Sequence, residues 1–189
     1  MLDPYAVFVA TGADAFVPPI DGAEGEHVFT TTEILNGSVN VTGQTIAVIG
    51  SGMTGLETAE LLAAQGTTVK VYEMAQTIGS GAYFQNLIDV TTKLQQHGVE
   101  LHAGHKLQII TDDGILLGKL GNAQIIEKPV DAVVLSLGVR PNNQMVDSLK
   151  SFSNVKVIGD VNAPRKIAQA IKEGCEEAYK LEVRQAVKV

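Results

Sequence analysis

The stretch Thr45-Ile-Ala-Val-Ile-Gly50-Ser51-Gly52-Met53-Thr54-Gly55-Leu-Glu-Thr-Ala-Glu60 decides the fold. Its order predicts a buried strand, a glycine-rich turn and the start of a helix, the context in which the pattern G-x-G-x-x-G is informative. Gly50 permits the tight turn, Gly52 lets a pyrophosphate approach the backbone, and Gly55 lets the helix pack closely on the strand. The helix N-terminus adds unpaired N–H groups and a partial positive charge. We therefore predict that residues 50–55 bind the phosphates of a dinucleotide.

A second strand, Thr68-Val-Lys-Val-Tyr-Glu73, ends in a carboxylate 23 residues after Gly50. An acid about 20 residues beyond the glycines is expected to bind the adenosine ribose. Such a carboxylate repels a 2′-phosphate by about 4 kcal/mol, for unit charges about 4 Å apart at an effective dielectric of about 20. No Lys or Arg lies between Glu73 and Lys93 to receive that phosphate. The sequence predicts NAD(H) in preference to NADP(H); the alternative for Glu73 alone is a solvated acid at a strand end.

The composition is that of a soluble globular protein, since 45% of the 189 residues are apolar and 19% are charged. This length allows one domain, or one domain and part of another. The net charge of −7, without a basic cluster, argues against a nucleic-acid partner. No apolar run reaches the length of a membrane span and no secretory signal pattern is present, so we expect a cytoplasmic protein with no membrane partner. The single cysteine, Cys175, excludes an intramolecular disulfide.

The order of predicted elements indicates an α/β fold with a Rossmann-like parallel sheet, helices and an antiparallel three-stranded β-meander. Residues 45–103 form a β-α-β-α-β series, with helices expected over about 52–65 and 82–96. Parallel strands joined by such helices predict a doubly wound sheet. Turn signals then separate three runs that predict the meander, over 106–111, 114–119 and 124–128. The other predicted elements are strands over 5–10, 99–102, 132–135 and 155–158, and helices over 30–35 and about 166–181.

Four landmarks follow one another along the chain: Ala10-Thr11-Gly12, the glycine turn at 50–55, Gly138-Val-Arg-Pro141 and Ile158-Gly159-Asp160. In this order they resemble the FAD/NAD(P)-dependent pyridine-nucleotide oxidoreductases, flavoproteins in which an NAD(P) domain is inserted into an FAD domain. The tail from Gly159 is similar to the C-terminus of the NADH:flavin oxidoreductases related to 2-enoate reductase, 2,4-dienoyl-CoA reductase and trimethylamine dehydrogenase. One difference is Lys172, where that group commonly has a histidine.

The resemblance implies that residues 1–40 and 142–189 are the remnant of an FAD-binding domain and that residues 41–141 bind NAD(H). The family's FAD domain opens with its own glycine fingerprint, whereas this chain has a single one. Relatives also carry an FMN barrel and a cysteine-ligated iron–sulfur cluster. We therefore expect a C-terminal piece of a larger flavoenzyme, natural or expressed as a fragment. Its partners would be the missing N-terminal flavin-binding domains, and the isolated chain would be inactive.

The resemblance also assigns binding residues for the two cofactors, NAD(H) and, in the full-length enzyme, FAD. Gly12, Gly159 and Asp160 are expected to approach the flavin cofactor, where a glycine permits close contact and a carboxylate receives a hydroxyl. Gly138 is expected near the nicotinamide half of the dinucleotide. For Asp160 the alternative is a helix or turn cap, and for Gly138 it is a strand-end turn.

No residue set predicts catalysis by side chains, because no Tyr-x-x-x-Lys pair occurs and no base accompanies Cys175. His102 and His105 lack a third ligand at suitable spacing, so no metal site is predicted. Hydride transfer from NADH to FAD needs neither a catalytic side chain nor a metal ion, since the cofactors supply the chemistry.

Three functions remain open at this point. The leading interpretation is the NADH-binding module of a flavin-dependent, enoate-reductase-like oxidoreductase. The alternative is a non-catalytic module that holds ADP as a structural or regulatory ligand, because the fingerprint and Glu73 recognise only the adenosine half. An unrelated doubly wound dehydrogenase or methyltransferase is disfavoured by the meander and the Gly159-Asp160 tail. A sheet edge exposed by the missing half would favour a homo-oligomer.

Overall fold

The computed structural model describes residues 4–121 and 125–186. Contacts divide the chain into two compact units, a larger one of Ala15–Gly138 and a smaller one that combines Met1–Asp14 with Val139–Val189. Within the described residues, no helix is both long enough and apolar enough to cross a membrane.

The helices and strands follow the predicted order. The strands are β1 (Val7–Val9), β2 (Ala13–Ala15), β3 (Val28–Thr30), β4 (Thr45–Ile49), β5 (Thr68–Tyr72), β6 (Glu100–His102), β7 (His105–Thr111), β8 (Gly114–Lys119), β9 (Ile125–Pro129), β10 (Ala132–Leu135), β11 (Val139–Pro141) and β12 (Val155–Val157). The helices are α1 (Thr31–Leu35), α2 (Met53–Ala64), α3 (Phe84–Gln96), α4 (Gln144–Ser148) and α5 (Ile167–Ala186), and a 3-10 turn spans Gly159–Val161. Gln124, the predicted start of the third meander strand, lies outside the described residues.

A five-stranded parallel sheet in the order β3-β10-β4-β5-β6 forms the centre of the larger unit. The meander of β7, β8 and β9 is antiparallel, as the turn signals predict. Together the two sheets confirm the α/β fold class. Four short elements were not predicted from the sequence: β2, β3, β11 and α4. Of these, β3 pairs with β10 from Val28 to Thr30 and so belongs to the central sheet. By their contacts, residues 15–40 belong to the larger unit, and the predicted bounds of the FAD-binding and NAD(H)-binding parts stay a prediction.

Strand β4 is buried on both faces, which explains why its sequence is apolar without alternation. Ile46 and Val48 pack into one core cluster with Leu56 of α2. Ala47 and Ile49 pack into a second cluster with meander residues, among them Leu117. The sheet is thus a middle layer between helices and meander, and its carboxyl-terminal edge is the place where such folds bind ligands.

In the smaller unit, β1 pairs in parallel with β12, Val7 opposite Val155 and Val9 opposite Val157. After β12 the chain enters the 3-10 turn and then α5, a helix of 20 residues. Whether this unit serves FAD stays a prediction.

Candidate functional site

The glycine turn between β4 and α2 has no room for side chains at two of its three glycines. Gly50 has φ +100°, and a Cβ atom there would lie 2.3 Å from the carbonyl oxygen of Ser136. A Cβ atom at Gly55 would lie 2.4 Å from the carbonyl oxygen of Gly50. These contacts are the tight turn and the close helix–strand packing that the motif requires.

Gly52 has the opposite surroundings, as the prediction of phosphate approach requires. No atom lies within 4 Å of the position that a Cβ atom would take. Gly52 is also the N-cap of α2, and no side chain caps this helix. The first N–H groups of α2, from Met53, Thr54 and Gly55, have no intrahelical acceptor by the geometry of a helix start. The turn therefore presents donors and open space to an anion, which fits a dinucleotide pyrophosphate.

Glu73 follows β5 and turns its carboxylate to the glycine turn. Its Oε2 atom accepts hydrogen bonds from the backbone N and the Oγ of Ser51, each at 2.8 Å. Its Oε1 atom accepts one from the backbone N of Ala75 at 2.7 Å. Burial favours the neutral acid, but the hydrogen bonds from Ala75, Ser51 and Met74 together hold the pKa of Glu73 below its ordinary value. The carboxylate is therefore ionised at neutral pH.

A cavity of about 400 Å³ opens at the carboxyl-terminal ends of β4, β5 and β10, all within the larger unit. Gly50, Ser51, Gly52 and Glu73 form part of its wall, so the structure brings these predicted residues together. Most of the remaining wall is apolar, from Phe16, Pro18, Ile20, Ile49, Leu107 and Leu137. An apolar cleft with a few convergent polar groups is the usual form of a small-molecule site.

Lys106 lies in the same cavity wall and was missed by sequence reasoning, which searched only the residues between Glu73 and Lys93. The start of β7 is brought to the end of β5 by a hydrogen bond of 2.7 Å from the backbone N of His105 to the carbonyl oxygen of Glu73. No local spacing signals this contact, because it depends on how the meander packs. A cation is thus present in the same cavity wall as the predicted ribose acid.

The histidines of the His102-x-x-His105 pattern pack against Tyr72. The ring of His102 stacks on the Tyr72 ring with centroids 4.9 Å apart, and His105 meets the same ring edge-on. Burial, with a smaller contribution from Glu100, raises the pKa of Tyr72 to about 12. The Tyr72 hydroxyl is buried and makes no hydrogen bond in the described structure. Across residues 4–121 and 125–186, no group of three His, Cys, Asp or Glu side chains could hold a metal ion.

Gly138 ends the larger unit with φ +89°, and its carbonyl oxygen accepts a hydrogen bond from the backbone N of Phe16 at 2.9 Å. No atom lies within 4 Å of the position of a Cβ atom at Gly138. It directly follows Leu137, a residue of the cavity wall. Its predicted role at the nicotinamide half is compatible with this open position and stays a prediction.

The predicted flavin residues Gly12, Gly159 and Asp160 lie in the smaller unit. The backbone N of Gly159 donates to Glu173 Oε2 at 2.7 Å, and Asp160 Oδ1 accepts from the backbone N of Arg165 at 3.3 Å. Glu173, which the sequence did not single out, also accepts from the Arg165 guanidinium at 3.2 Å. The bond from Gly159 is the main reason that the pKa of Glu173 is lowered. A flavin phosphate at Gly159 would therefore have to share this N–H group with Glu173.

Comparison with known proteins identifies the family of the chain. The sequence profile of the family described as pyridine nucleotide-disulphide oxidoreductase matches residues 3–157. A bilirubin reductase of Mediterraneibacter gnavus is 35% identical over 175 residues, which cover 91% of this chain and 27% of that protein. An NADH oxidase of Thermoanaerobacter brockii is 31% identical, over 95% of this chain and 28% of its own length. The chain thus spans between a quarter and a third of the length of these relatives.

Among solved structures, a 2-naphthoyl-CoA reductase in complex with 2-naphthoyl-CoA superposes with a TM-score of 0.83 at 26% identity. It covers 90% of this chain, which in turn covers 26% of that one. A histamine dehydrogenase from Rhizobium sp. 4-9, at 20% identity and a TM-score of 0.81 over 93% of this chain and 30% of its own, shares the fold. With its fold, its glycine turn and most of its length matched, the chain belongs to the pyridine nucleotide-disulphide oxidoreductase family.

Proposed function

We propose that this chain is the NADH-binding module of a flavin-dependent oxidoreductase of the enoate-reductase-like type. In the complete enzyme, bound NADH would supply a hydride and bound FAD would receive it. One observation carries the proposal: Gly52, open to solvent at the start of α2, and the carboxylate of Glu73 border a single cavity. The open backbone at Gly52 suits a pyrophosphate, and the carboxylate of Glu73 suits a ribose hydroxyl. A pyrophosphate and a ribose are both parts of one dinucleotide.

The residues of the larger unit would bind and orient the nucleotide. The N–H groups at the start of α2 would hold the pyrophosphate, and Glu73 would hold the adenosine ribose. The apolar wall would exclude water from the bound cofactor. Gly138, with open space beside it, would border the nicotinamide half. The partner of this module would be the flavin-binding part of the longer enzyme, with Gly12, Gly159 and Asp160 contributing to the FAD site.

A preference for NADH over NADPH is part of the proposal. The fixed, ionised carboxylate of Glu73 supports it, because a 2′-phosphate bound there would meet a like charge. Lys106 in the same cavity opposes it in part. The carboxylate is anchored by three hydrogen bonds, whereas the exposed ammonium is on a flexible side chain, so we expect the carboxylate to dominate.

The names of two relatives support the proposal that the complete enzyme is a reductase. They include a cinnamate reductase of Clostridium sporogenes, 28% identical over 91% of this chain, besides the bilirubin reductase. The electron acceptor of the complete enzyme would be an unsaturated organic compound of the enoate kind.

Calorimetric titration of the purified chain with NADH, NADPH and ADP tests the proposal. We expect NADH to bind more tightly than NADPH, because the 2′-phosphate of NADPH would meet the carboxylate of Glu73. We expect NADH to bind more tightly than ADP, because ADP lacks the nicotinamide half. If no nucleotide binds, the proposal is wrong. If NADPH binds as tightly as NADH, the cofactor assignment is wrong.

The second candidate function is a non-catalytic module that binds ADP. It is favoured by the position of the predicted residues gathered at the cavity, because all of them would bind or position the adenosine diphosphate half: Gly50, Ser51, Gly52 and Glu73. In the same titration, ADP binding equal to that of NADH would favour this candidate over the hydride-transfer module.

A further inference from the structure

Ser51 lies between the first two glycines of the fingerprint, and its side chain points away from solvent. The residue is 1% exposed. Its backbone N and its Oγ both donate to the same oxygen of Glu73, Oε2, at 2.8 Å. The backbone N of Ser51 belongs to the turn that begins at Gly50. These two hydrogen bonds therefore hold Glu73 Oε2 in a fixed position relative to the phosphate-binding loop.

The same hydroxyl also fixes the segment that follows Glu73. Ser51 Oγ accepts a hydrogen bond from the backbone N of Gly79 at 3.0 Å. Gly79 has φ +68°, and a Cβ atom there would lie 2.3 Å from a methyl carbon of Leu87, so its place is tightly defined. A serine hydroxyl has one proton to donate and lone pairs to accept. The Ser51 hydroxyl therefore both donates and accepts within the protein, and its one proton is donated to Glu73.

The carboxylate of Glu73 has about four acceptor positions on its two oxygens. Ser51 occupies two on Oε2 and Ala75 occupies one on Oε1, and the backbone N–H of Met74 is a further donor to this group, so at most one position, on Oε1, is left for a nucleotide. We propose that Ser51 is a positioning residue for the proposed nucleotide site: it holds Oε2 so that Oε1 meets one ribose hydroxyl, and it thereby sets the selectivity between NADH and NADPH. On this reading Ser51 acts through Glu73 and does not itself contact the cofactor. The inference rests on the proposed function.

The test compares the purified chain with its Ser51→Ala variant by calorimetric titration with NADH and NADPH over a range of pH. We expect NADH to bind about tenfold more weakly to the variant, as for a misplaced charge-assisted hydrogen bond. The affinity for NADPH, which gains nothing from Glu73, should change much less. The ratio of NADH affinity to NADPH affinity should therefore fall. Ser148→Ala is the matched control, since its hydroxyl donates only to the carbonyl oxygen of Met145 and does not line the cavity.

The pH profile separates positioning from a general loss of structure. Loss of the Ser51 hydrogen bond should raise the pKa of Glu73, so NADH affinity should begin to fall at a higher pH than in the unmodified chain. The other titratable groups in the cavity wall are Tyr72, His105 and Lys106, and the pKa of Tyr72 is raised to about 12, far from the acid range of this test. If Ser51→Ala does not fold, Ser51→Cys retains a weak donor and should show a smaller shift in the same direction.

Two results would overturn the inference. An equal loss of NADH and NADPH affinity with an unchanged pH profile would mean that Ser51 contacts the pyrophosphate directly. Unchanged NADH binding in both variants would mean that Glu73 needs no positioning. A chain that binds no nucleotide before substitution instead refutes the proposed function, so the two failures are distinguishable.

Discussion

The replacement Glu73→Gln removes the negative charge while keeping the shape of the side chain. The closest donors to this group are the backbone N and Oγ of Ser51 and the backbone N of Ala75, with the backbone N–H of Met74 as a further donor. A glutamine oxygen in the place of Oε2 still accepts both bonds from Ser51. The amide NH₂ then faces the N–H of Ala75, and two donors oppose each other. An unmade hydrogen bond of this kind costs about 1 to 3 kcal/mol, toward the lower end here because Glu73 is partly exposed.

The same replacement should change cofactor selection more than it changes stability. Loss of a charge-assisted bond to the ribose should weaken NADH binding about tenfold. The repulsion of a 2′-phosphate, at most about 4 kcal/mol before screening by salt, should disappear. We therefore expect the ratio of NADH to NADPH affinity to fall by at least about tenfold, measured by titration at fixed ionic strength. Urea unfolding of the same samples gives the free energy of unfolding.

Glu127→Gln is the control, because it removes the same charge at an exposed position of β9 outside the cavity. It should leave both affinities and the free energy of unfolding unchanged within error. If Glu73→Gln behaves like this control, with selectivity intact, then Glu73 is a solvated strand-end acid and the ribose assignment is wrong.

Four further results are expected. Gly52→Ala should fold normally, since no atom lies within 4 Å of the new methyl group, but should lower NADH affinity in titration because the methyl group blocks the pyrophosphate. Gly55→Ala should lower the melting temperature, by roughly 2–4 °C for each kcal/mol, because its methyl group would lie 2.4 Å from the carbonyl oxygen of Gly50. Lys106→Met should weaken NADPH more than NADH, about fivefold for an exposed charge pair, and equal losses would show that Lys106 contacts the pyrophosphate. The lowered pKa of Glu73 contributes stability that is complete above its ordinary value of 4.5 and is lost as the pH falls through the lowered value, which unfolding curves between neutral and acid pH would show.

The parts of the fold that could be predicted are those encoded by neighbouring residues. The sequence of β4, the turn and α2 carries its own signals, and the three glycines have the surroundings that their roles require. The meander was predictable because its turns carry Asp, Gly and Asn. In contrast, β3 and α4 are short and were not predicted. Helix α1 is as short as α4 but was predicted, because Thr30 and Glu33 form a capping box at its start, whereas α4 has no side-chain cap.

The parts that could not be predicted depend on contacts between distant residues. Lys106 reaches the cavity only because β7 starts beside the end of β5. Glu173 reaches Gly159 only because α5 packs on the 3-10 turn. The sequence predicted that Glu73 is an acceptor for a ligand, but it could not show that Ser51 and Ala75 already occupy most of its oxygens.

The pairing of β1 with β12 has a consequence for synthesis of the chain on the ribosome. Val7 cannot pair until Val155 has been synthesised, so the whole larger unit is made before the smaller one can close. At about 5–20 residues per second, the delay is roughly 7 to 30 s. During that time the β1 segment, with Phe8 and Val9 among its residues, has no strand beside it, and this is the interval in which a nascent chain is most open to chaperones or to pairing with another copy.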